Sequence, residues 1–277
     1  MRKTWLITGA SSGLGAIMTE KLLARGDRVI ATVRREGALA QLQARLGERL
    51  QVLKLDLTDA GAIRRAVDEA FATQRIDVVV SNAGYGLFGA AEEVTDAQIE
   101  RQIATNLLGS IRLVRACLAH LRAQGGGRIM QVASEGGQTT YPNFSIYHAT
   151  KWGIEGFMET VAQEVAPFGI DVVIVEPGPT ATGFAANIDG PEPMPIYDAT
   201  PSGEIRRALA DGRFAITGDA AKSVDAMIAA GDAERPALRL ALGSTAYENI
   251  SKALTSRLEA LKAQKAVAYA ADQDLPI

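Results

Sequence analysis

The 277-residue chain has one cysteine, Cys117, and two histidines, His120 and His148. A lone thiol excludes an internal disulfide and suits a reducing compartment, so a cytoplasmic protein is expected. With so few soft ligands, and neither H-E-x-x-H nor C-x-x-C, no metal site is expected. Long apolar runs are missing too. Segments 78–80 and 172–175 are far too short to span a bilayer. After Met1-Arg2-Lys3 only Trp5, Leu6 and Ile7 precede Thr8-Gly9, which is no signal-peptide core. Nor is there a block of one charge sign: 29 basic and 32 acidic residues leave a net charge of −3. That argues against a nucleic-acid footprint or a polybasic membrane patch and leaves a small molecule as the expected partner.

What is present is an alternation. Short, nearly continuous apolar runs at 4–8, 28–33, 50–57, 76–81, 128–134 and 170–176, with a seventh at 238–242, read as strands covered on both faces. Between them lie helical stretches at 13–25, 38–46 and 59–73, and an apolar residue every three or four positions from Ile99 to Leu121. This pattern predicts a doubly wound parallel α/β sheet of about seven strands, with helices on both faces. The whole chain, 1–277, reads as one Rossmann-like domain. The rhythm breaks at 178–201, which holds Pro179, Pro191, Pro193, Pro195 and Pro201 and reads as a long substrate loop. Helical pattern resumes at 202–211 and 219–230, and a C-terminal extension begins near 245. Met227 and Tyr247 read as core residues.

The first strand runs into Gly9-Ala10-Ser11-Ser12-Gly13-Leu14-Gly15 and then a helix. Glycines there permit a tight turn and close approach of phosphate oxygens to backbone N–H groups at a helix N-terminus. The spacing is G-x-x-x-G-x-G rather than G-x-G-x-x-G. The same residues fit the G-x-S-x-G elbow of a hydrolase, a rival that would need a catalytic histidine from His120 or His148. His120, near a helix C-terminus, is explained by the helix dipole instead.

Tyr147 and Lys151 are four apart on a predicted helix and share a face. An ammonium beside the phenol is expected to lower the tyrosine pKa, which suits proton exchange with a carbonyl oxygen. Ser134, at the end of the fifth predicted strand, is placed to hydrogen-bond the same oxygen at the carboxyl edge of the sheet. Arg34 follows the second strand where an NAD site would place an acid. A guanidinium there suits a 2′-phosphate, with Ser11 or Ser12 adding a hydroxyl, so NADP(H) is the expected cofactor.

In this order the motifs resemble the short-chain dehydrogenase/reductase family from residue 4 to about 182. The resemblance rests on Thr8 to Gly15, Asp56-Leu57, Ser81-Asn82-Ala83-Gly84, Asn106, Ser134, Tyr147-x-x-x-Lys151 and Pro177-Gly178. It implies an oxidoreductase that interconverts a ketone or aldehyde and an alcohol. Tyr147 would be the acid or base, Ser134 the carbonyl-orienting residue, and Asn106 the holder of a relay water; Lys151 would also bind the nicotinamide ribose. Gly9, Ser11, Ser12, Gly13, Leu14, Gly15 and Arg34 would line the cofactor groove with Asp56 and Leu57 near the adenine. Asn82, Ala83 and Gly84 would shape it, and Pro177, Gly178, Thr180 and Thr182 would sit by the nicotinamide. Ser81 departs from the asparagine common in the family.

Segments 99–121 and 154–166 are apolar on more than one face, and the resemblance adds pairing of such helices, so a homodimer or homotetramer is expected. The substrate is expected to be apolar. Its walls would be Phe184, Ile188, Met194, Ile196 and Tyr197 on the loop, Tyr85, Leu87 and Phe88 opposite, and Tyr141 and Phe144. Glu135 and Gln138 would be the polar groups. A dinucleotide-binding regulator without turnover is the alternative, which would have no need of Ser134, Tyr147 and Lys151 together.

Overall fold

A computed structural model of the chain describes residues 2–184 and 188–272. Among the described residues seven parallel strands form one sheet in the order β3-β2-β1-β4-β5-β6-β7. They are β1 Thr4–Thr8, β2 Arg28–Val33, β3 Leu50–Lys54, β4 Val78–Ser81, β5 Gly127–Val132, β6 Ile170–Pro177 and β7 Arg239–Leu242. The third, fourth and fifth are shorter than their apolar runs. Leu55 and Leu57 lie beyond the end of β3 and are buried all the same, so burial outlasts strand pairing.

The continuity of the apolar runs follows from the layers. Neighbouring residues of a strand point to opposite faces. Leu6, Ile30, Val79, Ile129 and Ile174 join one core with Ile63, Leu113, Cys117, Ile154 and Met158. Those come from α3 Ala60–Thr73, α5 Ser110–Ala123 and α6 Ser145–Val165. Trp5, Ile7, Val29, Val80, Met130 and Val173 join the other core with Met18, Leu22, Val224 and Met227. These last come from α1 Gly13–Ala24 and α8 Ala220–Asp232. The short α2 Ala40–Leu46 sits beside β3.

The helix expected from Ile99 to Leu121 is continuous but not uniform. It begins as α4 Asp96–Gln102 under a Thr95–Gln98 capping box, widens into a π-helical turn over Ile103–Gly109, and continues as α5. Asn106 lies in the wide turn. Such turns cost backbone geometry and recur at functional sites.

The chain after β6 runs as loop to α7 Pro201–Ala210, with one turn of 3-10 helix at Pro195–Tyr197 among the described residues. The C-terminal extension is α9 Ser244–Ala263 and α10 Lys265–Tyr269. Tyr247 corrects its expected place: it is 70% exposed on α9, while Met227 is buried as expected. No helix among the described residues is long and apolar enough to cross a membrane.

Candidate active site

The sheet changes direction between β1 and β4, which are neighbours while their successors run outward on opposite sides. Open α/β sheets bind ligands in that crevice at the carboxyl end. Here Thr8 builds its floor. The buried Thr8 hydroxyl accepts from the Asn82 and Ala83 N–H groups at 2.9 and 3.1 Å, and the Asn82 amide donates to the Thr8 carbonyl at 2.9 Å. The two strand ends are thereby locked together. Only glycine fits where they meet. Gly9 has φ +68°, and a Cβ on Gly15 would lie 2.5 Å from the Gly9 carbonyl oxygen.

Above this floor the loop is open. Ser12 precedes α1 without using its hydroxyl as a cap, and Ser11 and Ser12 are exposed. Beside Gly13 the nearest atom that a Cβ would meet is Thr182, at 3.9 Å. Free backbone donors, uncommitted hydroxyls and a helix N-terminus make a cradle for phosphate, and these residues fit a nicotinamide dinucleotide. Arg34 is exposed past β2 and makes no ion pair among the described residues. Asp56 is exposed, with one oxygen taken by Thr58. The Leu57 side chain is buried against Gly109, which leaves its backbone to border the groove beside Asp56. Gly178 lies against Ala246, and Thr180 turns its hydroxyl back to the Gly178 carbonyl at 2.8 Å.

Ser134, Tyr147 and Lys151 come together at the end of β5. Helix α6 carries the last two on one face, and the Ser134 hydroxyl, which accepts from the Gly136 N–H at 3.1 Å, is near enough to the Tyr147 phenol to favour its ionised form. Lys151 is buried, donates to the Val132 carbonyl at 3.1 Å and lies 5.5 Å from the centre of the Tyr147 ring. The expected lowering of the tyrosine pKa is not found. Burial pushes the phenol up to about 12, against the pull of Ser134. Burial also takes Lys151 down to about 8, with Glu155 opposing. Desolvation is the largest effect on the phenol, and the Glu135 charge adds to it.

Asn106 lies in the π turn with its side chain turned to the Tyr85 backbone. Its side-chain oxygen accepts from the Tyr85 N–H at 3.1 Å and its amide donates to the Tyr85 carbonyl at 2.8 Å, joined there by Gln102. The side chain is a clamp on the chain beyond Gly84. His148 is buried beside Phe144, and burial takes it down to about 4, so it is neutral. His120 stacks on Phe71 and reaches Asp68, both of α3, and has no contact with Ser11 of the elbow among the described residues. Neither histidine is placed to serve a serine elbow.

Of the expected apolar walls, Phe144 and Phe184 each stand 5.9 Å from Tyr147, and Phe88 meets Phe144 at 5.0 Å. Phe184 and Ile188 both crowd the bare face of Gly86, which sequence reasoning missed. A cavity of about 230 Å³ lies between Phe88, Ile188 and Pro191. Other expected walls fall away. Leu87 is buried in the fold, Ile196 is 73% exposed, and the Tyr197 hydroxyl goes to Glu92. The polar candidates are engaged: Tyr141 and Asn249 bind Glu135, and Gln138 donates to Glu176 at 2.6 Å. Gly86 and Asn249 carried no motif that the sequence could have displayed.

The model of the short chain dehydrogenase family matches residues 3–192. An oxidoreductase designated BOA17 from Botryotinia fuckeliana is 37% identical over 258 residues, covering 91% of this chain and 93% of that one. A 3-ketodihydrosphingosine reductase from Bacteroides thetaiotaomicron is 37% identical over 183 residues, 66% of this chain and 65% of that one. Among solved structures, a short-chain dehydrogenase from Streptomyces avermitilis superposes with a TM-score of 0.88 at 37% identity, covering 99% of both chains. One from Burkholderia cenocepacia, in complex with NADP, gives 0.74 at 26% identity, covering 95% and 97%. The chain therefore belongs to the short-chain dehydrogenase family and is an oxidoreductase of that type.

Proposed function

We propose that this protein is an NADP(H)-dependent oxidoreductase that interconverts a ketone or aldehyde and an alcohol on a mainly apolar substrate. The observation that carries it is Tyr147 at 5.5 Å from a buried Lys151 at the end of β5, with Ser134 beside it and the Phe144 and Phe184 rings facing it. When bound, the nicotinamide supplies or accepts the hydride. The chain's residues do the rest. Ser134 and Tyr147 hydrogen-bond the substrate oxygen and orient it. With its pKa near 12, Tyr147 holds its proton at neutral pH and is ready to donate it in reduction. Lys151 stands behind the phenol and binds the nicotinamide ribose. Asn106 acts through the π turn that packs against α6, and by clamping Tyr85 it holds the groove wall formed by Asn82, Ala83 and Gly84. Gly9 to Gly15 hold the phosphates, Asp56 lies toward the adenine, and Pro177, Gly178, Thr180 and Thr182 border the nicotinamide.

NADP(H) is favoured by Arg34, whose guanidinium is exposed and has no ion pair among the described residues, where a 2′-phosphate would lie. The NADP complex of the Burkholderia relative lends support to the cofactor, and the name of the Bacteroides relative, that of a keto-compound reductase, to a carbonyl substrate. The test is NADPH oxidation with a carbonyl series from acetone through aryl and alicyclic ketones to keto acids. Efficiency should climb with apolar size; preference for pyruvate-sized acids overturns the substrate class, and faster turnover with NADH overturns the cofactor.

The homo-oligomer expectation is narrowed. The apolar residues of 154–166 are used up inside: Ile154, Met158, Val161 and Val165 are buried in the core, and Phe157 and Ala162 pack against it. Leu108 on the π turn and Trp152 on α6 remain about 40% exposed and are the contact we assign to a second copy.

A further inference from the structure

Below the proposed catalytic group lies a buried ionic cluster that no motif announced. Glu155 is one helical turn beyond Lys151, on the same stripe of α6. Its carboxylate pairs with Arg239 of β7 at 2.6 Å, and Arg239 also pairs with Glu176 of β6 and, at 2.9 Å, with Glu159. Glu155 and Glu176 are almost wholly buried. Gln138 binds Glu176, so the turn that begins at Ser134 is anchored to the cluster. The bare face of Gly137 in that turn is covered by the Glu155 carboxylate; a methyl group there would overlap it.

We propose that Glu155 is a positioning residue of this site, coupling the charge of Lys151 to the cluster under the Ser134 turn. This rests on the reading of Ser134, Tyr147 and Lys151 as the catalytic group. Two buried carboxylates and the half-exposed Glu159 share one guanidinium, and Lys151, one turn back on α6, feels the Glu155 charge as well. Also bordering the turn are Glu135, engaged by Tyr141 and Asn249, and Arg257 of α9, which donates to the Gln138 carbonyl at 2.6 Å. The Oε1 of Glu155 is buried and accepts no hydrogen bond among the described residues. Burial therefore raises the Glu155 pKa above the ordinary carboxylate range, with Arg239 opposing and Glu176 adding to the rise. Once ionised, Glu155 favours the charged form of Lys151. Without it, burial acts on Lys151 unopposed, and the ammonium loses its proton at lower pH.

The experiment follows the lysine ε-carbons by NMR in the full-length protein, with Lys151 assigned by its loss in Lys151→Ala. In the wild type the Lys151 signal should titrate near pH 8, with a smaller inflection at the pH where Glu155 ionises. Glu155→Gln should lower the Lys151 midpoint by roughly half a unit or more, while Glu159→Gln should not. Gly137→Ala, which displaces the carboxylate without removing it, is the second variant and should shift the midpoint the same way. An unmoved midpoint in Glu155→Gln, an equal shift in Glu159→Gln, or a wild-type Lys151 curve with no inflection overturns the coupling. The alkaline limb of kcat/KM for carbonyl reduction should move down with the lysine in Glu155→Gln, at an unchanged cofactor Kd. If the lysine moves and the rate profile does not, the positioning role is wrong. If the wild type reduces no carbonyl, the proposed function fails, while the lysine titration still decides whether the coupling exists.

Discussion

At the scale of single residues, the proposed chemistry hangs on a few atoms with no substitute nearby. Tyr147→Phe keeps the ring that packs on Phe144 and Phe184 and removes only the proton donor. Turnover should fall by about 10²–10⁴-fold with cofactor binding nearly intact, measured by steady-state rates and by NADPH fluorescence. Arg34→Asp should weaken NADPH binding by roughly tenfold or more and NADH binding much less, because only the former loses a charge-assisted pair. Equal losses for the two cofactors would remove Arg34 from recognition. Gly15→Ala brings a methyl group to 2.5 Å from the Gly9 carbonyl and 2.6 Å from the Asn82 amide. Backbone cannot yield as a flexible side chain does, so binding of both cofactors should be lost together, which separates this variant from Arg34→Asp in the same titration.

At the scale of elements, the loop after β6 is tied to the chain after β4. The Phe88 N–H donates to the Asp189 carbonyl and the Asp189 N–H to the Gly86 carbonyl, each at 2.9 Å, while the Asp189 side chain pairs with Arg101. Farther along, Glu93 accepts from the Met194 N–H at 2.7 Å and from Arg206 of α7 at 2.8 Å. Burial alone would push the Glu93 carboxyl up, but the Met194 and Ala90 N–H groups and Arg206 bring it below its ordinary value. A carboxylate with a depressed folded-state pKa stabilises fully above its unfolded value, and that stability is lost as pH falls through the folded one. Glu93→Gln should therefore cost about 3 kcal/mol at neutral pH, since it leaves Arg206 without its buried partner. The gap from wild type should narrow under acid. Thermal melts at neutral and acid pH check both, and a gap that widens under acid would contradict the sign.

At the scale of the whole molecule, the two layers meet the sheet with little slack. Trp5 fills the space over Gly231 of α8, and its indole donates to Asp27 at 3.0 Å, which Arg25 also binds. Gly231→Ala would drive a methyl group into the Trp5 ring and should cost about 1–3 kcal/mol by overpacking, read as a lower Tm at unchanged kcat per folded molecule. The assembly proposed through Leu108 and Trp152 should appear in light scattering as two or four times 29.3 kDa, and charging that face with Trp152→Glu should return the monomer mass.

The architecture was legible because it rests on short-range patterns. Apolar strands covered on both sides, a glycine turn between β1 and α1, and residues four apart on α6 are periodicities that one chain displays directly. Arg34 and the Tyr147–Lys151 face belong to this class, since each follows from position within one element. What only the tertiary structure decided are contacts between segments far apart in sequence. Asn106 reads as a helix interruption, but its partner is the backbone of Tyr85, 21 residues away. Leu87 looks like a groove residue and is core, because burial depends on what the other layer brings. The tyrosine pKa went the other way from the sequence argument: spacing on α6 sets which charges are near, but depth sets how much water remains, and here desolvation is the larger effect. The Glu155–Arg239–Glu176 cluster joins α6, β7 and β6, and no local pattern could bring those three residues together, since only the folded sheet edge does.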